Sequence, residues 1–186
     1  MDAIFERHSV RSFSEKQVSD EDVRKIVSAG CAAPSSKNDQ PWKIAVTRQP
    51  RLSRIASDFI EVAENIEEER IRKNCVETFS IMGRASVCIF VFLDAVPRAP
   101  RYFAHVQSLG AFIENMSLEA CGLGIGSLWC GDILQISDEA MGILGVDYPP
   151  AAALLLGYES GDARRKRHKT PEDILIRGYD EWDSGR

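Results

Sequence analysis

Residues 87–93 read VCIFVFL, seven apolar residues without a polar break. The run is rich in β-branched and aromatic side chains and too short to cross a membrane as a helix. It predicts a central strand of a sheet, buried on both faces. Asp94 and the two prolines within 94–100 end it. Around this strand the pattern is mostly helical. A short first helix is expected over 2–7. Ser19 opens a clearer one, with Asp22 at the third position as an approximate capping box. Val23, Ile26, Val27 and Cys31 follow on one face, and Gly30 and Pro34 mark its exit. Pro50 suits a helix start and leads into Leu52, Ile55, Phe59 and Ala63. The charged stretch ENIEEERIRKN over 64–74 reads as a solvated helical face. A long helix is expected over 103–121, broken by Gly122, Gly124 and Gly126, and a short one over 137–144. Further strands are expected over 42–47 and 151–157. These strands are too few and too widely spaced for a regular run of βαβ units, so the expectation is a layered α+β domain.

With 186 residues the chain suits one domain with a sizeable core. The formal net charge is -5, yet RRKRHK at 164–169 carries +5, leaving -10 for the rest. An acidic body with one compact basic patch does not suit a nucleic-acid coat; it suits a local anion site. The amino terminus shows no apolar signal region, and no run is long enough for a membrane span, so a cytoplasmic protein is expected. Five cysteines (Cys31, Cys75, Cys88, Cys121, Cys130) form no CxxC pair, which suggests reduced thiols rather than zinc or iron–sulfur ligation. Residues 158–186 have few apolar groups, so this tail is either disordered or packs on something else.

Four stretches could carry chemistry. RHSVR at 7–11 sets two arginines four apart around a serine, and a guanidinium fork suits phosphate oxygens. PSSKNDQPW at 34–42 is a polar loop held between prolines. Its amides suit the edge of a planar heterocycle, although a capped turn would read the same way. GLGIG at 122–126 could bring backbone amides close to a flat ligand. It does not match the dinucleotide fingerprint. RRKRHK is a cationic patch or a solvated tail. There is no GxSxG elbow, HExxH, P-loop or EF-hand loop, and only three histidines are present (His8, His105, His168). Anion and amide sites without an evident nucleophile suit a cofactor that brings its own chemistry.

The order RHSVRSF, APSSKNDQPW, GLGIG after a long helix, then LLLGY and RRKR resembles the FMN-dependent nitroreductase family, closest to its short single-domain members. The resemblance covers residues 1–176 as one domain and leaves 177–186 as a tail. It implies a three-layer α+β sandwich forming an intertwined homodimer, with two FMN sites at the interface. Arg7, Ser9 and Arg11 would hold the phosphate, ribityl chain and pyrimidine edge, with His8 contributing. Pro34, Ser35, Ser36 and Asn38 would come from the partner chain and line the isoalloxazine. Leu123 and Gly124 would lie near flavin N5 and O4, and Arg165 and Arg167 would complete the phosphate clamp. A side-chain amide at the flavin carbonyl edge would come from Asn65 or Asn74. Ser108 stands where relatives often have an acidic residue. The implied activity is hydride transfer from NADH or NADPH through flavin N5 to a nitroaromatic, quinone or other electron-poor small molecule, in a ping-pong cycle. A specialised flavin reaction such as dehalogenation or enone reduction, and a non-catalytic flavin-binding protein, are the alternatives.

Overall fold

The computed structural model describes residues 2–94 and 100–161. Its centre is a four-stranded antiparallel sheet: β1 (Trp42–Arg48), β2 (Val87–Leu93), β3 (Gly126–Cys130) and β4 (Pro150–Gly157), in the order β1-β2-β4-β3. All seven residues of β2 are buried. The strand period of two sends their side chains alternately into two cores. Val87, Ile89, Val91 and Leu93 enter one core, beside Val23, Ile26, Leu109, Phe112 and Met116. Cys88, Phe90 and Phe92 enter the other, beside Leu52, Phe59, Phe79 and Met82. Phe90 stands opposite Ala45 on β1 and Ala153 on β4, so small residues flank the large one.

Helices cover both faces, which makes the three layers. On the first lie α2 (Asp20–Cys31) and α5 (Tyr102–Gly122). On the second lie α3 (Arg51–Ala63), α4 (Glu69–Met82) and α6 (Ser137–Leu144), while the four-residue α1 (Ala3–Glu6) opens the chain. Ser19 caps α2 as its sequence implies, accepting the Asp22 amide on Oγ at 3.0 Å. Phe59 meets Phe79 and Phe90 edge-on, with centroids 5.3 and 6.0 Å away, and so locks α3, α4 and β2 together.

Two readings of the sequence need correction, and Gly30 has a second role. It is the penultimate residue of α2, at the exit its sequence marked, and an added Cβ would stand 2.8 Å from Met116 Cγ, so it also permits α2 and α5 to touch. The stretch 64–74 is divided: α3 stops at Ala63 and α4 begins only at Glu69. Gly126 does not lie in a helix-breaking loop but begins β3, a strand absent from the sequence-based expectation.

Candidate functional site

The amino-terminal segment is zipped onto the sheet. Ser9 bridges Ser127 of β3 in parallel, and the Val10 amide donates to Ser127 O at 2.9 Å. Farther along, the Ser14 amide donates to Tyr158 O at 2.7 Å, and Phe13 bridges Glu159. This is possible because Gly126 has no side chain. A Cβ there would meet Val10 Cγ2 at 2.8 Å and Gly157 O at 3.1 Å. The RHSVR motif is therefore an edge element running beside β3, with its charged residues held at fixed places along that strand.

Two cavities flank this seam. The first, about 170 Å³, is lined by Arg7, His8, Gly124 and Gly126 together with Glu6, Cys121 and Glu159. Arg7 is oriented by Glu114, whose Oε1 lies 3.1 Å from Nε, so the pair engages Nε rather than the terminal nitrogens. His8 is held from both sides: Nδ1 lies 3.1 Å from Glu6 O and Nε2 lies 3.2 Å from both Glu159 carboxylate oxygens. Gly124 follows the end of α5 in the left-handed region, with φ +72° and open space where a Cβ would stand. Ser9 is exposed on the same segment and accepts the Arg11 guanidinium on its carbonyl at 3.2 Å. Leu123 packs against the α2/α5 core instead of lining the cavity.

The second cavity, about 200 Å³, is lined by Arg11, Asn74, Glu77, Thr78, Ile81, Leu128, Trp129, Cys130 and Asp132. Thr78 donates to Asp132 Oδ2 at 2.6 Å, tying α4 to the turn after β3. Of the two asparagines left open by the sequence, Asn74 lies with Arg11. Asn65 is exposed and donates to its own helix at Glu61 O, 2.9 Å away. Glu77, Thr78 and Asp132 were not singled out from the sequence. The spacing of Asn74, Thr78 and Ile81 on one face of α4 is the signal that could have found the α4 pair.

Cys130 on this wall is held as the neutral thiol. Burial pushes its thiol up to about 12. Cys88 is fully buried and also pushed well up, by burial first and by Cys130 beside it. Cys75 is pushed up by burial and then by Asp132. Among the described residues no group of three or more His, Cys, Asp or Glu side chains is placed to hold a metal ion. No described helix is long and apolar enough to cross a membrane.

Pro34, Ser35 and Ser36 lie elsewhere. They line a third cavity, about 310 Å³, against Ala104, Gln107, Ser108 and Ala111 of α5. Asn38 sits farther along that loop, outside the cavity, and accepts the Gln40 side-chain amide at 3.1 Å. Ser36 is bonded to Ser108, whereas Gly124 lies just past the other end of α5. At 1.5 Å per residue the two places are about 20 Å apart along the helix. Within one chain the candidate residues therefore fall into two separate groups. Arg165 and Arg167 lie outside the described residues.

Near the loop, α5 also borders an apolar hollow of about 220 Å³ lined by Leu93, Tyr102, Val106, Leu109, Trp129 and Leu134 among others. Phe103, Leu134, Trp129 and Val106 are 80, 52, 44 and 42% exposed. Val106, Trp129 and Leu134 line the hollow, and Phe103 lies one turn before Val106 on α5.

Comparison with known proteins shows the family and the fold. The profile of the nitroreductase family matches residues 4–158. A provisionally named NADH dehydrogenase/NAD(P)H nitroreductase from Archaeoglobus fulgidus is 34% identical over 128 residues, 69% of this chain and 64% of that protein. The match thus spans just under two thirds of that relative's length. A provisionally named nitroreductase from Desulfovibrio desulfuricans, crystallised with FMN, superposes with a TM-score of 0.76 at 28% identity, covering 95% of this chain and 94% of that one. A BluB-like flavoprotein from Clostridium difficile gives 0.78 at 29% identity, covering 94% and 96%.

Proposed function

The chain belongs to the nitroreductase family of oxidoreductases, and from that premise we propose that it is an FMN-dependent NAD(P)H oxidoreductase acting on small electron-poor acceptors such as nitroaromatics or quinones. The observation that carries this reading is the cradle along β3. It sets Arg7 and His8 beside Gly124, and Arg11 beside Asn74. That donor set suits FMN: a guanidinium for a phosphate, a glycine amide in open space for a flat ring, and a second guanidinium with a carboxamide for a polar heterocycle edge. Bound FMN would supply the two-electron chemistry, taking hydride from a nicotinamide and passing electrons to an acceptor that follows it into the same space.

The chain's own part is binding and orientation. Arg7 would hold the phosphate, with Glu114 fixing the guanidinium by its Nε. Ser9 lies on the same held segment, and His8 stays in place between Glu6 and Glu159. Arg165 and Arg167 would add cationic charge at the phosphate. Arg11 and Asn74 would donate to the pyrimidine edge, and the cation there would favour an electron-rich ring. Leu123 and Gly124 would offer backbone amides. Pro34, Ser35, Ser36 and Asn38 would serve the ring bound by a second copy, because their half-site stands about 20 Å from Gly124 on the same helix. The exposed apolar residues flanking α5 give that second copy a surface to cover. The partner is thus another molecule of the same chain.

The test is an absorption spectrum of the purified protein, before and after NADH and then NADPH under argon. A flavin band that bleaches with either nucleotide supports the reading. A flavin band that neither nucleotide bleaches would favour a binding role, and protein that takes up no added FMN would refute the site.

A further inference from the structure

The loop carrying Ser35 and Ser36 has an unusual backbone. Lys37, Asn38 and Gln40 have φ of 55°, 60° and 46°, all in the left-handed region. Asparagine tolerates that region, but lysine and glutamine gain nothing from it. Something outside the loop must hold this shape, and α5 supplies it. The Ser36 amide donates to Ser108 Oγ at 3.1 Å, and the Ser108 hydroxyl donates to Ala104 O at 2.7 Å. Asp39 Oδ2 accepts Arg101 Nη1 at 2.8 Å and His105 Nε2 at 2.9 Å. A carboxylate only accepts, so Nε2 is the donor in this pair. His105 Nδ1 is shielded from solvent and has no partner among the described residues, so within that set Asp39 alone orients the ring. Arg101, Ala104, His105 and Ser108 follow at spacings of three, four and seven, which puts all four on one face of the helix. Inside the loop the Gln40 amide closes onto Ser35 Oγ at 3.0 Å.

We propose that Asp39, His105 and Ser108 are positioning residues, which clamp the strained 34–40 loop onto α5 and so preset Ser35 and Ser36 for a flavin held by a second copy of the chain. The proposal rests on the FMN reading given above. Asp39 and Arg101 are partly solvent-exposed, with side chains 32 and 54% accessible, and belong to neither hydrophobic cluster. The clamp thus contributes to the shape of one loop and not to the core. It also gives Ser108 a use that an acidic residue could not fill in the same way, because a hydroxyl both accepts from Ser36 and donates to Ala104.

The experiment compares wild type with Asp39→Ala, Ser108→Ala, His105→Ala and His105→Gln. Fluorescence titration measures FMN dissociation, thermal melting of the FMN-free protein measures the fold, and amide exchange measures the loop. Expected is a rise in the FMN dissociation constant of about tenfold for Asp39→Ala, Ser108→Ala and His105→Ala, with melting temperatures close to wild type. Exchange across 35–40 should quicken by roughly the same factor. His105→Gln, which keeps a donor, should recover most of the affinity. The Asp39→Ala/Ser108→Ala double variant should lose less than the product of the single losses, since both act through one loop. Wild type that takes up no FMN would sink the cofactor reading and the proposal together. Wild type that binds, with variants that bind equally well, would sink the clamp alone. Affinity falling only in step with melting temperature would also overturn it.

Discussion

Gly126→Ala is the smallest change that tests whether the cradle depends on the zipped amino terminus. The new Cβ would stand 2.8 Å from Val10 Cγ2, 3.0 Å from Val10 Cβ and 3.1 Å from Gly157 O. Carbon–carbon contacts are optimal at about 3.5–4.0 Å, so the segment must retreat by about 1 Å. Gly157 O belongs to the paired backbone of β4 and cannot yield; Val10 must move. A shift of that size stretches the 2.9 Å bond from Val10 N to Ser127 O to about 3.9 Å, beyond hydrogen-bond range. Overpacking costs about 1–3 kcal/mol and the lost bond about 1 kcal/mol. We expect a total of about 2–4 kcal/mol. For a chain of this length that lowers the melting temperature by about 4–16 °C. Arg7 and Arg11 flank Val10 and would shift with it. Losing the fit of one charge-assisted bond, about 1.5–3 kcal/mol, weakens FMN binding by about tenfold or more. Thermal melting and FMN fluorescence titration read the two effects. Val10→Ala in the same chain removes the worst contact but leaves Cβ at 3.0 Å. The double variant should therefore be more stable than the sum of the single losses, by about 1 kcal/mol. A Gly126→Ala protein that melts and binds FMN like wild type would refute the argument that this glycine exists for close approach.

Three other outcomes follow from the same geometry. Arg11→Ala should weaken FMN binding by about tenfold while turnover at saturating FMN changes far less, because one charge-assisted contact is lost; full occupancy with lost turnover would contradict the assignment. Asn74→Ala should shift the flavin absorption band and weaken binding, whereas Asn65→Ala should do neither; an equal effect of both in the same titration would remove Asn74 from the site. Stability should be fully present below pH 9 and fall above it. The unfolded chain loses its thiol protons near the ordinary value of 9, while folded Cys130 keeps its proton to about 12 and Cys88 is also pushed well above 9. Over that window each contributes a slope of up to about 1.4 kcal/mol per pH unit against the fold. Urea unfolding at pH 8 and pH 10.5 checks this, and Cys88→Ala/Cys130→Ala should flatten the dependence.

How much of this was legible depended on how local the cause was. The run at 87–93 announced β2 because seven apolar residues in a row can be satisfied only between two layers. Ser19 announced α2 because a cap is a contact within four residues. β3 announced nothing. GSLWC is short and begins with glycine, and its pairing comes from β4, about 27 residues on, and from Ser9, far behind. The choice between Asn65 and Asn74 failed for a related reason. The break between Ala63 and Glu69 resets the helical phase, so a continuous helix drawn through 64–74 assigns faces wrongly. Gly126 was legible as a special position but not as a specific one, since close approach involves the Val10 side chain, 116 residues earlier.

The site motifs share this non-local logic. RHSVR is two guanidinium groups on a segment with little local reason to be ordered, and it becomes a cradle only when β3 accepts it as a neighbour. The loop that carries the serine pair has a backbone that costs free energy locally at Lys37, Asn38 and Gln40, and it is held by three residues on one face of a helix about 65 positions later. Each half-site is thus anchored to an opposite end of α5, a rigid rod that cannot bend to bring them together within one molecule. A two-fold pairing of two such rods would set the loop of one beside the cradle of the other, and would do so twice. On that reading the apolar residues flanking α5 and the separation of the half-sites have one cause. The helix that keeps the halves apart in one chain would be the element that aligns them between two.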